Sequence, residues 1–220
     1  RSIISHTDWL KLLMGNFFVY VFYISLILLG FIFPKSKWVH CLLIVMAYSL
    51  YTMSYGDVGS DTMEYMERYE YVSRGGESSY EFLYDLLMKV CVNLGFPFDA
   101  FRYITAFLTF VGLEYTTFKL TKNINIVWAL YLIYPSMYDA ELIRASLAMG
   151  FIAVFLARLI SSNTIKHYLI CTLLIVVATL FHSSSIVYLI FTPVWHFIRK
   201  KIRAYHILVI FISLLGLYYT

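Results

Sequence analysis

The sequence predicts an all-α fold: a polytopic helical membrane protein with about eight spans. Three observations predict it. Charged residues make up 14% of the 220-residue chain, against about 25% in soluble domains. Mean hydropathy is +0.75. Uncharged apolar runs recur along the chain, and the longest, Leu169 to Ile198, passes thirty residues without Asp, Glu, Lys or Arg. A transmembrane barrel would alternate apolar and polar residues in short segments. Leu169 to Ala178 does not alternate, so helices are expected.

The apolar runs are 12–33, 38–55, 98–118, 124–138, 142–157, 167–181, 185–198 and 206–220. Short cationic clusters separate them: Lys35/Lys37, Lys119/Lys122, Arg158/Lys166 and Arg199/Lys200/Lys201/Arg203. Placing these four clusters in the cytoplasm puts ten of the seventeen Lys and Arg inside, as the positive-inside rule requires. The first span then starts outside, and the segment 56–97 lies outside as well. The stretch 56–102 carries nine acidic and four basic residues.

On that topology the segment 80–96 cannot cross, because a crossing there would bring Lys119 and Lys122 out. Its pattern fits an amphipathic extracytoplasmic helix on the membrane surface. Glu81, Asp85 and Lys89 fall on one face, and Leu83, Leu86, Leu87 and Val90 on the other. The runs 124–138 and 142–157 flank the polar stretch Asp139 to Arg144, and 167–181 and 185–198 flank His182 to Ser185. Each pair reads as a hairpin whose arms fall short of the about 20 residues a crossing helix needs. Both polar turns are therefore expected below the outer surface, where only protein or a wet cavity makes them tolerable.

Three scattered cysteines, Cys41, Cys91 and Cys171, show neither disulfide nor zinc spacing. No phosphate-binding glycine loop, zinc-protease pattern or clustered metal ligands appear, and no metal or cofactor is expected. The positive balance sits in topology clusters, so no nucleic-acid partner is expected. The chain begins with Arg and ends within an apolar run, as expected for a piece of a longer protein.

Arg144 is the sharpest candidate. A guanidinium at membrane depth costs about 2.5–3.5 kcal/mol on insertion scales, and a bound diphosphate would offset that through a forked contact. A salt bridge to Glu141 or Asp139 is the structural alternative. Behind Arg144, Ser146, Gly150, Ala153 and Ala157 form a small-residue face for close helix packing. His182 can take a proton from a sugar hydroxyl or contact a phosphate; otherwise it ends a helix, with Ser183, Ser184 and Ser185 as caps. Gly56 to Tyr71 reads as a turn followed by an amphipathic helix opened by Asp61. That helix carries Asp61, Tyr65, Arg68 and Tyr69 on one side, as a sugar site would. Glu64 fits a cap partner of Asp61 and an i,i+4 partner of Arg68. Glu81 lies three residues after Ser78, and a capping box alone would explain both. Arg68, Arg74 and Arg102 are further anion candidates that exposure alone would also explain.

Four stretches in order resemble the EpsG-like family of polysaccharide polymerases, the Wzy-type proteins. They are Gly59-Ser60-Asp61 with Tyr65, Glu81-Phe82-Leu83-Tyr84, Ile143-Arg144-Ala145-Ser146-Leu147-Ala148, and Phe181-His182-Ser183-Ser184. The family pattern runs G-T-D-x-x-x-Y, E-x-L-Y, I-R-Q-x-L-A and F-H-x-S, and the match covers about residues 56 to 192. Ser60 replaces the usual Thr, Ala145 replaces the usual Gln, and Met53 to Val58 lacks the arginine that commonly precedes the first motif.

The resemblance implies a multi-pass enzyme of the bacterial inner membrane, working on its outer face. It implies polymerisation of repeat units carried on undecaprenyl diphosphate by glycosyl transfer, beside a flippase and a chain-length regulator. Arg144 and His182 would be catalytic, and Asp61, Tyr65, Arg68, Glu81 and Ser183 would bind substrate. A membrane O-acyltransferase, a lipid-linked glycan flippase or transporter, and a structural subunit remain alternatives.

Overall fold

The computed structural model describes residues 6–53, 60–161 and 164–199. Among these, ten α-helices and one 3-10 helix follow one another without a strand. They are α1 (His6–Ile32), α2 (Lys37–Met53), α3 (Ser60–Ser73), α4 (Phe82–Asn93), α5 (Phe98–Leu120), α6 (Ile124–Ile133), α7 (Pro135–Glu141), α8 (Ile143–Ser161), α9 (Ile165–Phe181), the 3-10 helix Ser183–Ile190, and α10 (Phe191–Arg199). The predicted run 206–220, the glycine turn at Gly56 and Gly59, and the cluster Lys200/Lys201/Arg203 lie outside the described residues.

Two predicted runs break where an unbroken helix was expected. The run 124–138 divides at Tyr134, because Pro135 has no N–H to continue the ladder and starts a new helix at its first position. The Leu132 carbonyl beside the break accepts the hydroxyls of Ser136 and Tyr23 instead. The run 185–198 is a 3-10 helix followed by α10. A 3-10 helix rises about 2.0 Å per residue against about 1.5 Å in an α-helix, so the first piece is longer than its eight residues would be as α-helix. The helices α8 and α9 also run beyond the drawn limits, to 19 and 17 residues. Of the hairpin arms, α8 thus comes within about a residue of the length a crossing needs, while α6 and α9 stay short of it.

Side chains gather into two cores. The first joins α3, α4, α8, α9 and the start of α5, through residues such as Tyr69, Tyr84, Phe101, Leu147, Phe155 and Ile175. The second joins α1, α2, α5 and α6, through Leu26, Leu43, Tyr51, Phe110, Trp128 and Leu132. Helix α5 is the wall between them. It packs against α8 so closely that a Cβ on Gly112 would sit 2.3 Å from the Gly150 carbonyl oxygen. The small face foreseen on α8 is buried here, with Ser146, Gly150, Ala153 and Ala157 all inside. Thr109, Thr116 and Thr117 of α5 donate to carbonyls four residues back, which satisfies their hydroxyls inside an apolar contact.

Reading 98–118 as simply apolar missed its charges. Glu114 accepts from His40 Nε2 at 2.6 Å and from Trp128 Nε1 at 2.9 Å, tying α2, α5 and α6 together in the second core. Arg102, an anion candidate expected to be exposed, is fully buried and donates to the Tyr51 carbonyl at 2.5 Å. The Tyr51 hydroxyl in turn shares a 2.6 Å hydrogen bond with Ser146.

Helix α4 is amphipathic as expected, but its faces differ from the forecast. Tyr84, Met88 and Cys91 enter the core, while Phe82, Leu86 and Val90 point outward. The outward residues are four apart and make a continuous apolar stripe. The helix ends in a Schellman motif. Phe96 N donates to Cys91 O, Gly95 N donates to Val92 O, and Gly95 takes the left-handed φ of 74° that the motif needs.

Candidate functional site

The site forms where three chain junctions meet: the start of α4, the start of α8, and the break between α9 and the 3-10 helix. Glu81 is the N-cap residue of α4, with extended backbone. Its side chain does not cap the helix. The capping box with Ser78 is thus absent: Ser78 Oγ donates to the carboxylate of Asp85 instead. This releases the Glu81 carboxylate for contacts with distant segments. Oε2 takes Arg144 Nη1 at 2.8 Å. Oε1 takes the Ser183 main-chain N–H at 3.0 Å and the Ser183 hydroxyl at 3.1 Å. His182 Nδ1 lies 3.7 Å from the same oxygen.

Arg144 therefore pairs with a residue 63 positions away, not with Glu141 three positions before it. Asp139, the other local alternative, accepts from the Tyr131 hydroxyl at 2.8 Å. Leu142 breaks the helix with φ −96° and ψ 62°, so Arg144 opens α8 in its first turn. Its guanidinium lies 4.1 Å from the ring centre of Tyr80 and 5.6 Å from that of Tyr65. Its Nε lies 3.4 Å from the Tyr65 hydroxyl. Aromatic faces attract a cation at such distances, by about 0.5–2 kcal/mol.

Helix α3 supplies the outer wall. Tyr65 is buried, its ring tilted against those of Tyr80 and Tyr84 at centroid distances of 5.8 and 6.1 Å. Arg68 lies 5.4 Å from the Tyr80 ring, so two arginines flank one tyrosine. Glu64, expected beside Asp61 and Arg68, accepts from the Tyr80 hydroxyl at 2.8 Å. Asp61 stands in the first turn of α3, close enough to disfavour ionisation of Tyr65. Tyr69, grouped with these from its spacing, turns away to Phe98, Phe101 and the Phe96 carbonyl. Arg74 pairs with Glu70 at 3.1 Å on the surface. The predicted residues Arg144, His182, Ser183, Glu81, Tyr65 and Arg68 thus share one neighbourhood.

Tyr80 is the functional candidate that sequence reasoning passed over. Its position directly before Glu81 was the one available signal, and nothing in the sequence placed its ring over a guanidinium.

Burial pushes the Tyr80 hydroxyl up to about 12, with the Glu64 carboxylate adding to the effect. Burial likewise holds the Tyr65 hydroxyl above its ordinary value. Burial would also raise the Glu81 carboxyl. The Ser183 amide, its own amide and Arg144 overcome that and hold it below the ordinary value. What results is a carboxylate, a guanidinium, an imidazole, a hydroxyl and a main-chain N–H gathered in one partly open recess.

Three of the four motif stretches that resemble one family thus converge, and the first contributes Tyr65. The profile of the EpsG family matches residues 37–220.

The chain belongs to the EpsG family. Searches of curated proteins and of solved structures find no match. EpsG membership places the chain in polysaccharide biosynthesis and at the membrane. Among the described residues of this EpsG chain, Ile143–Ser161 is the helix whose length and apolarity suffice for crossing. Phe18–Ile32, Ile124–Ile133, Lys166–Phe181 and Ser183–Trp195 are shorter apolar helices.

The Glu81 link carries a pH dependence. Its folded-state value is lowered, so its contribution is complete above the ordinary carboxylate value of about 4.3. It is lost as pH falls through the lower folded value. In detergent, the melting temperature should drop on acidification below that value, and Glu81→Gln should flatten the drop. Equal pH slopes in both proteins would refute the link.

Proposed function

We propose that this protein polymerises glycan repeat units carried on undecaprenyl diphosphate. The carrying observation is the convergence of Arg144, His182 and the Ser183 N–H and hydroxyl on a single anion, the Glu81 carboxylate. A cluster that holds a carboxylate with these donors suits phosphate oxygens equally well. In the reaction, the bond between the anomeric carbon of the growing chain and its diphosphate breaks. A bond to a hydroxyl of the next lipid-linked unit forms. That hydroxyl's proton passes to a base, and undecaprenyl diphosphate leaves.

Arg144 stabilises charge developing on the leaving diphosphate, by a preorganised donor at a fixed position. Ser183 adds two donors. His182 serves as acceptor base or second phosphate contact. Tyr65, Tyr80, Arg68 and Asp61 form the wall against which sugars stack and hydrogen-bond.

This chemistry calls for a multi-pass arrangement in the bacterial inner membrane, with the site facing out. Large apolar side chains face outward on α1 (Phe18, Phe22), α5 (Phe107, Val111), α6 (Leu130, Ile133) and α9 (Leu169, Leu173). Contiguous exposure of that kind suits lipid, not water. The outward stripe on α4, Phe82, Leu86 and Val90, suits a helix resting in the outer interface. A flippase and a chain-length regulator are the partners this role calls for.

Purified protein given a lipid-diphosphate-linked repeat unit is expected to yield a ladder of longer lipid-linked chains and free undecaprenyl diphosphate. Absence of both products, with the protein folded, would overturn the proposal. One observation favours a second reading, a lipid-linked glycan transporter: the His40–Glu114 pair and Arg102 place charge inside the second core as well. Translocation of the substrate into the outer leaflet of vesicles without chain growth would select that reading.

A further inference from the structure

We infer that Glu81 is a built-in anion that occupies the phosphate-binding position, and that a prenyl diphosphate binds by displacing it. This rests on the proposed function and adds a gate to the same site.

The geometry carries the inference in three ways. First, every donor proposed to meet a phosphoryl oxygen already faces Glu81. Arg144 Nη1 is 2.8 Å from Oε2, the Ser183 N–H and hydroxyl are 3.0 and 3.1 Å from Oε1, and His182 Nδ1 is 3.7 Å from Oε1. The Ser183 N–H and hydroxyl and Arg144 Nη1 are engaged by the carboxylate, so a phosphoryl group can take these three only by displacing it. Second, the carboxylate grips each partner through one oxygen. Oε2 meets Arg144 at Nη1 while Oε1 turns to Ser183, so the forked pairing that makes guanidinium contacts strong is not used. A phosphoryl group presents two oxygens to the fork and carries more charge, so it competes well. Third, the link is reachable. The side chains of Arg144 and Glu81 are 24% and 16% exposed, which leaves an approach for an incoming headgroup.

Protonation does not open this gate under ordinary conditions, because the surrounding donors hold Glu81 below the usual carboxylate range. Ligand exchange is the remaining route. Displacement also has a mechanical result. Glu81 joins the start of α4 to α8 and to the α9 junction, so releasing it removes that polar tie while Tyr84, Met88 and Cys91 keep α4 on the core. The internal carboxylate also spares Arg144 from standing as an unpaired charge before the ligand comes, which at partial burial is a costly state.

The test uses the full chain in detergent micelles, with farnesyl diphosphate as a prenyl diphosphate probe and calorimetric titration as the readout. An internal competitor reduces apparent affinity by the fraction of molecules in which it is bound, so removing one that is bound about nine times in ten tightens binding about tenfold. Glu81→Gln is therefore expected to bind the probe about tenfold more tightly than the unaltered chain, and adding Arg144→Ala is expected to abolish that gain. Glu81→Asp, which keeps the charge but draws it back by one methylene, is expected to lie between the two. It serves as the decisive variant if Glu81→Gln does not fold. If the unaltered chain binds and the Glu81 variants bind no tighter, the gate is refuted while diphosphate recognition stands. If no form binds, both fall.

Discussion

Arg144→Ala is expected to reduce glycan polymerisation by about 10²–10³-fold, the usual consequence of removing a preorganised donor from a developing negative charge. The structure gives reason to expect the upper end. Among the described residues, Arg144 is the one full positive charge hydrogen-bonded to the Glu81 carboxylate. Without it, Glu81 and an incoming diphosphate would repel each other inside one recess. Arg144→Lys is expected to recover little. Lysine keeps the charge but offers no planar fork, and the present guanidinium carbon lies over the Tyr80 ring, 4.1 Å from its centre. Activity should be followed as lipid-linked ladders made by purified protein, beside a thermal melt of each variant. A variant that melts like the unaltered chain and still produces full ladders would remove Arg144 from the reaction. His182→Ala is the natural companion. If His182 is the acceptor base, its loss lowers turnover with little change in donor-lipid affinity. If it is a phosphate contact, affinity falls too.

How much of this could be read from sequence differs by the kind of signal. Helices announced themselves through uncharged runs, because an apolar run is a local property. Arg144 and His182 stood out for the same reason: charge and imidazole are conspicuous against an apolar background. Glu81 was legible as a substrate-binding candidate, although a capping box with Ser78 three residues before it explained it as well. Only the fold shows that the carboxylate instead reaches Arg144, 63 positions on, and Ser183, 102 positions on. Tyr80 was invisible for the same reason, since a cation–π contact leaves no spacing in the chain. Glu114 was legible and was passed over, whereas Arg102 was named as an anion candidate and its burial was not foreseen. A carboxylate within an apolar run is itself a signal, and its partners His40 and Trp128 lie on other helices. The break at Pro135 was also legible, since a proline within a helical run argues against continuity. The 3-10 stretch after His182 was not, because its eight apolar and hydroxyl residues carry no pattern that separates 3-10 from α.

The same α5–α8 seam that positions Arg144 should tolerate almost no added volume. Gly112→Ala is the sharpest probe of it. On an isolated helix this change would help, by about 0.5–1 kcal/mol, because alanine orders at lower entropic cost than glycine. In the folded chain the new Cβ would lie 2.3 Å from the Gly150 carbonyl oxygen, 2.7 Å from its carbon and 2.9 Å from its Cα. All three are backbone atoms, so no rotamer change relieves the clash and the helices must separate. Overpacking of this kind costs about 1–3 kcal/mol and more where nothing can yield, which exceeds the propensity gain and decides the sign. Gly150→Ala meets Thr109 Cα at 3.0 Å and its carbonyl at 3.1 Å, so it should destabilise less. The expected order of melting temperatures in detergent is therefore unaltered chain, Gly150→Ala, then Gly112→Ala. The site should register the change as well. Arg144 opens α8, and Tyr84 rests on Phe101 of α5 at a centroid distance of 5.5 Å beside the same recess. Spreading the two helices shifts the guanidinium relative to Glu81 and Tyr80, and misplacement by about 1 Å costs on the order of 10²-fold in rate. A Gly112→Ala protein that melts at or above the temperature of the unaltered chain would show that α5 and α8 do not meet at these glycines.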